Sequence, residues 1–232
     1  MPLPQFFTLN TGYTIPAIGL GTWQSKPNEV KTAVETALKI GYRHIDAASI
    51  YGNESKVGNG IKASDVDRSD IFVNFPGDLG MNMHFPVSFA HLSEAFPVNP
   101  ETEEIWVTDV PIADSWKAME DLVKMGKVRT IGVSNFTRQR IEDLMETATV
   151  LPAANQIEGH PYLQQPAFPM GNNIYNLPRC VDDPEIIAIA KDLDKEPGQV
   201  LVSWSVQRGS SVLPKSVTPE RIANNFEVFE LP

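Results

Sequence analysis

Short apolar runs alternate with amphipathic segments along most of this chain, and that alternation limits the folds open to it more than any other feature. Residues 15–20 form an apolar run closed by Gly19 and Gly21, and residues 28–40 then place Val30, Ala33, Val34, Ala37 and Leu38 at helical spacing, with Gly41 as the expected stop. A strand over 44–47, a helix capped by Asn53 and running to Lys62, and an extended run over 71–73 repeat the pattern. From 74 to 108 it breaks, because Pro76, Gly77, Gly80, Pro86, Pro97 and Pro100 punctuate the segment too often for a helix. It returns with a helix over 114–125 stopped by Gly126, a strand over 128–133, a helix over 137–147 and a strand near 153–158. A second irregular stretch, 160–178, carries Pro161, Pro166, Pro169 and Pro178. Helices over 184–193 and 197–207, a strand over 211–214 and a short helix from Pro219 follow. Repeated βα units predict a parallel α/β architecture, either a barrel or a doubly wound sheet.

Composition narrows the function classes. In 232 residues, 19 Lys and Arg stand against 29 Asp and Glu, a formal net charge of −10 that disfavours nucleic acid as a partner. The single Cys180 excludes an intrachain disulfide framework and any cysteine-cluster metal site. No apolar run approaches the roughly 20 residues that span a bilayer, and the opening MPLPQFFTLNTGYTIP lacks the basic start and apolar core of a signal peptide, so the expectation is a cytosolic protein without a membrane partner. A dinucleotide fingerprint does not fit: Gly19 and Gly21 are followed by Gln24 where the third glycine belongs.

Four separated motifs, GLGTW (19–23), DAASIYGNE (46–54), GKVRTIGVSNF (126–136) and LPKSVTPERIANNFEVF (213–229), with NQIEGHPYL (155–163) between the last two, make the chain resemble the aldo-keto reductases, in family order and over most of its length. GTWQSKPNEV and LPRCVDDP resemble a fungal or yeast-like subgroup of NADP-dependent aldehyde and ketone reductases. The resemblance implies a (β/α)₈ barrel as a single domain over 1–232, with NADP(H) laid across the C-terminal ends of the strands. It also implies losses. Val73 reaches the MHFP motif in about ten residues, so helix three and most of strand four are expected to be absent, and after PYLQQP the sixth helix and most of strand seven as well. By the same resemblance, the family's final loop, which shapes specificity, is expected to be missing.

Carried over position by position, Asp46, Tyr51 and His84 match three of the family's Asp, Tyr, Lys, His tetrad. The lysine is the exception: the register from Val73 lands on Pro76, and neither Asn74 nor Phe75 replaces it. An ammonium roughly 4 Å from the phenol contributes about 4 kcal/mol at an effective dielectric of 20, on the order of three pK units. Without it, Asp46 is expected to push Tyr51 upward. Thr22, Ser134, Asn135 and Gln156 match cofactor contacts, the last three being the clamp on the nicotinamide carboxamide, whose two ends suit amide and hydroxyl partners. Phe168, in the remnant AFPMGNN, takes the place of the aromatic that stacks on nicotinamide. Lys215, Ser216 and Arg221 suit a 2′-phosphate at a helix start, favouring NADP over NAD, and Asn225 matches the adenine contact. Trp23 and Phe85 match walls of the substrate pocket.

His44, His91 and His160 have no partners at metal or triad spacing, and no metal is expected. The resulting expectation is reduction of a small-molecule aldehyde or ketone, slowed by the missing lysine. Two alternatives stay open: a non-catalytic NADP-binding homologue, and one recruited to cyclisation or isomerisation through Tyr51 or His84. Gaps in the outer helices also predict uncovered sheet edges and self-association through them.

Overall fold

The computed structural model describes residues 2–74, 80–90, 96–163 and 179–232. The chain divides into two compact units, residues 1–75 with 157–232, and residues 76–156.

The first leg of the first unit opens with an antiparallel pair, β1 (Phe6–Thr8) and β2 (Thr14–Pro16). Residues 15–20, expected as one strand, therefore split between the end of this hairpin and β3 (Leu20–Gly21). The turn residues Asn10 and Gly12 between two apolar stretches are the signal for it. Helix α1 (Pro27–Ile40) buries Val30, Ala33, Val34, Ala37 and Leu38, the stripe its spacing predicts. Strand β4 (His44–Asp46), helix α2 (Glu54–Ala63) and strand β5 (Phe72–Asn74) follow, with β3, β4 and β5 paired in parallel.

The second unit contains β6 (Gly80–Met83), a short antiparallel pair β7 (Ser88–Phe89) and β8 (Val107–Thr108), helix α3 (Ile112–Lys124), β9 (Thr130–Ser134), helix α4 (Arg138–Met145) and β10 (Asn155–Gln156). Strand β9 lies between β6 and β10, parallel to both. The four residues of β6 pair along their whole length with β9, so the short segment before His84 still joins the parallel ladder. The core gathers Trp116 and Met119 of α3, Ile131 and Val133 of β9, Phe136 and Leu144. Glu120 is buried in the same layer and its carboxylate accepts the backbone N–H of Thr149 (2.6 Å) and Val150 (2.8 Å) and the Thr149 hydroxyl (2.9 Å). Burial alone would raise its pKa, but these donors outweigh it and hold the group below its ordinary value.

The chain returns to the first unit through α5 (Pro184–Asp192), α6 (Pro197–Gln207) and α7 (Pro219–Phe226). Residues 211–214, expected as a strand, make only single parallel bridges, Val212 with Ile18 and the adjoining Lys215 with Gly21. One apolar cluster joins α1, β4, β5, Val202 and Val206 of α6, Val212 and Ile222 of α7. Among the described residues no α-helix stands between α2 and α3, nor between α4 and α5, the two places where the family resemblance leaves helices out.

Candidate active site

The parallel register of the first unit places Gly21, Asp46 and Asn74 side by side at the ends of β3, β4 and β5. Neighbouring strands lie about 4.8 Å apart, so in-register side chains on one face meet. The buried Asp46 accepts the Asn74 amide on Oδ1 (3.1 Å) and the Tyr51 hydroxyl on Oδ2 (3.3 Å). Tyr51 reaches it from the single 3-10 turn, Ser49–Tyr51, that follows β4. Below, the Thr22 hydroxyl donates to the Asp46 carbonyl (2.7 Å). Asn53 was expected to cap α2; its side chain makes no cap bond and donates instead to the carbonyls of Thr22 (2.9 Å) and Ser25 (3.2 Å), since those buried acceptors need a donor. This fixes the turn that carries Trp23, whose ring stands 6.4 Å from that of Tyr51.

An ionised carboxylate only accepts hydrogen bonds, so Tyr51 gives its one proton to Asp46. Burial first, then the Asp46 charge and the hydrogen bond to it, push the Tyr51 phenol well above its ordinary value. At neutral pH the phenol is fully protonated and aimed at an anion, with less driving force for giving the proton away. Pro76, where the lysine register falls, lies outside the described residues.

The far end of β3 meets residues 213–216. The Gly21 N–H donates to the Pro214 carbonyl (3.0 Å), and a Cβ at Gly21 would stand 3.0 Å from the Leu213 carbonyl oxygen and 3.3 Å from the Lys215 Cβ, tight enough that these neighbours would have to shift. Ser216 is buried, its hydroxyl accepting the Thr218 N–H (3.2 Å) just before α7. Asn225 is buried on α7. Lys215 and Arg221 are exposed, and neither has an ion-pair partner among the described residues.

In the second unit the ends of β9 and β10 draw Ser134, Asn135 and Gln156 together. The Ser134 hydroxyl (2.7 Å) and the Asn135 N–H (3.0 Å) both donate to the Gln156 carbonyl. Asn135 turns out of the strand at φ +61°, left-handed backbone that asparagine tolerates better than most residues. Its amide donates to the His84 carbonyl (2.8 Å) and the Ser134 hydroxyl (3.2 Å), which ties the residue after β6 to the same cluster. The Asn82 amide donates to Gln156 Oε1 (3.0 Å), and Asn155 grips the Phe136 carbonyl (2.8 Å) and N–H (3.4 Å). Phe85 packs edge-on against Phe89 and Phe96, with centroids at 5.5 and 5.8 Å.

Phe168 and His91 lie outside the described residues. Of the other histidines, His44 is buried edge-on against Phe72, and burial lowers it to about 4; His160 stands 3.9 Å from a Glu158 oxygen. No group of three or more His, Cys, Asp or Glu among the described residues could hold a metal ion. Sequence reasoning missed the positioning amides Asn74, Asn82 and Asn155. The signal was present in one: Asn82 interrupts the apolar run MNMHF in mid-strand.

A family model described as "Aldo/keto reductase family" matches residues 17–95 and 102–178. The D/L-glyceraldehyde reductase of Hypocrea jecorina is 40% identical over 276 residues, covering 97% of this chain and 83% of that protein. Aldo-keto reductase family 1 member A1 of Xenopus tropicalis is 39% identical over 277 residues, covering 97% and 84%. Both spans exceed the 232 residues of this chain, so within them the relatives carry residues that it lacks. The structure of the aldose reductase from Schistosoma japonicum superposes with a TM-score of 0.84 at 33% identity, covering 98% of this chain and 88% of that one.

Proposed function

Because the chain belongs to the aldo/keto reductase family and has the α/β barrel-type fold of an aldose reductase, we propose that it is an NADP(H)-dependent oxidoreductase that reduces an aldehyde or ketone to an alcohol as a single cytosolic barrel domain. The observation that carries this reading is the hydrogen-bonded cluster of Ser134, Asn135 and Gln156, three residues from two strand ends whose hydroxyl and amides match both ends of a carboxamide. The donor set fits the rest of the cofactor as well: two exposed cations and a buried hydroxyl beside the start of α7 suit a 2′-phosphate. When bound, the dihydronicotinamide supplies the hydride. Tyr51 then donates the proton to the carbonyl oxygen, His84 orients that oxygen by a hydrogen bond, and Trp23 and Phe85 wall the substrate. To serve the substrate, Tyr51 must redirect its proton from Asp46, which makes proton delivery the limiting contribution of this chain.

The same hydrogen bond favours a second reading, a protein that binds NADP without turnover. NADPH oxidation with a reactive nitrobenzaldehyde, alongside titration of both cofactors by tryptophan quenching, separates the two. Slow turnover with tighter binding of NADPH than of NADH is expected. Binding without turnover puts the second reading first, and no binding of either cofactor removes both.

A further inference from the structure

Asn82 sits in the middle of β6, and its Cα partner across the ladder is Gly132 of β9. The next strand beyond β9 is β10, which carries Gln156. Two strand spacings separate β6 from β10, about 9.6 Å, too far for side chains on those strands to meet over an ordinary middle residue. Here they meet: the Asn82 amide donates to Gln156 Oε1 at 3.0 Å. The bare backbone of Gly132 is what lets it happen. A Cβ at that position would collide with the Asn82 side-chain oxygen and stand 2.8 Å from the Ala154 carbonyl oxygen.

We propose that Asn82 is a positioning residue that passes over Gly132 to fix the orientation of the Gln156 amide, and through it the seat of the nicotinamide carboxamide. This rests on the cofactor reading above. A glutamine amide has two unlike ends, and its terminal torsion is soft. Only a partner that discriminates the ends holds one orientation, and Asn82 does so by donating to the oxygen. The three clamp residues then present a fixed pattern before the cofactor arrives, and less ordering remains to oppose binding.

The test uses two ligands: NADPH, and 2′-phospho-ADP-ribose, which is the cofactor without its nicotinamide. Asn82→Leu removes the donor, and Asn82→Asp keeps the shape over Gly132 while replacing the donor by an acceptor. Both variants should bind NADPH about threefold to tenfold more weakly, the worth of one neutral hydrogen bond, and bind 2′-phospho-ADP-ribose as the wild type does. In a Gln156→Ala background the Asn82 changes should cost NADPH nothing further. Equal losses for both ligands would mark Asn82 as merely structural, and unchanged NADPH affinity with a binding-competent wild type would remove the proposal while leaving the cofactor reading intact. Wild-type protein that binds the fragment but gains nothing from the nicotinamide would overturn it too, and failure of the wild type to bind either ligand would instead take down the cofactor reading on which it stands.

Discussion

The hydrogen-bonded clusters of the two units are built on opposite principles. In the first unit a buried carboxylate organises everything: Asp46 collects the hydroxyl of Tyr51 and the amide of Asn74, and its charge weakens Tyr51 as an acid. In the second unit, among the described residues, the hydrogen bonds linking Ser134, Asn135, Gln156 and Asn82 run between neutral amides, a hydroxyl and a carbonyl. A neutral network is held by donors and acceptors that its own members supply. A charged one depends on a specific counterpart. On the proposed function, that difference would put the cost of the missing lysine on proton transfer rather than on cofactor seating.

The sharpest way to break this contrast is Tyr51→Phe, which should lower NADPH-dependent aldehyde reduction by about 10²- to 10⁴-fold, the usual worth of a general acid. NADPH affinity should barely change. Steady-state kinetics with parallel binding titrations check both, and a variant that kept its turnover would remove Tyr51 from the reaction.

Next in size is Glu120, a buried carboxylate of the second unit that accepts from three neutral donors. Glu120→Ala leaves two backbone N–H groups and a hydroxyl without their acceptor, at about 1–3 kcal/mol for each group that water cannot reach. Thermal unfolding should fall by several degrees, at about 2–4 °C per kcal/mol for a chain of this size. Because its folded pKa lies below 4.5, the Glu120 contribution is fully present above that value and is lost as pH falls through the folded pKa. Replacing it with alanine should therefore flatten the acid limb below pH 4.5.

His44 gives the first unit a different window. Its folded pKa is lowered from 6.5 to about 4, so between those values the unfolded chain binds a proton that the folded chain refuses. Stability should fall as pH drops from 6.5 towards 4, by at most about 1.4 kcal/mol per unit, and level off below. His44→Leu should abolish that slope in a series of melting curves and leave the Glu120 limb in place. The smallest effect expected is on cofactor choice: Lys215→Ala with Arg221→Ala should reduce the preference for NADPH over NADH by about tenfold.

Helices were legible because each has an apolar stripe and a stop; α6 lies at 197–207, where the sequence places it, and α1 differs by one residue at its start. Strand ends were less so. Residues 15–20 satisfy an apolar-run criterion whether they form one strand or two, and only the pairing of β1 with β2 decides it. At the site, Asp46, Tyr51, Ser134, Asn135 and Gln156 stand out by motif, since the residue types themselves carry the chemistry. Asn53 and Asn74 do not, because an asparagine in a sequence is equally a turn former or a helix cap, and Asn82 shows only as a polar break in an apolar run that names no partner. Their partners, at separations of 31, 28 and 74 residues, emerge only when strands align in register.

The bridge between Gly21 and Lys215 has a consequence for the order in which the molecule is made. Together with the Tyr42 hydroxyl on the Ile222 carbonyl and the Ser211 hydroxyl on the Pro16 carbonyl, it closes the first unit across nearly two hundred residues. Residues 76–156 hold a core of their own, complete once that stretch has left the ribosome. The apolar faces of α1 and β4, made earlier, wait for Val202, Val212 and Ile222. At about 5–20 residues per second that wait lasts roughly ten to thirty seconds, during which the oldest part of the chain is the least protected. Nascent chains halted at Ser210 should accordingly be cut by protease within residues 1–75 while 96–156 resist.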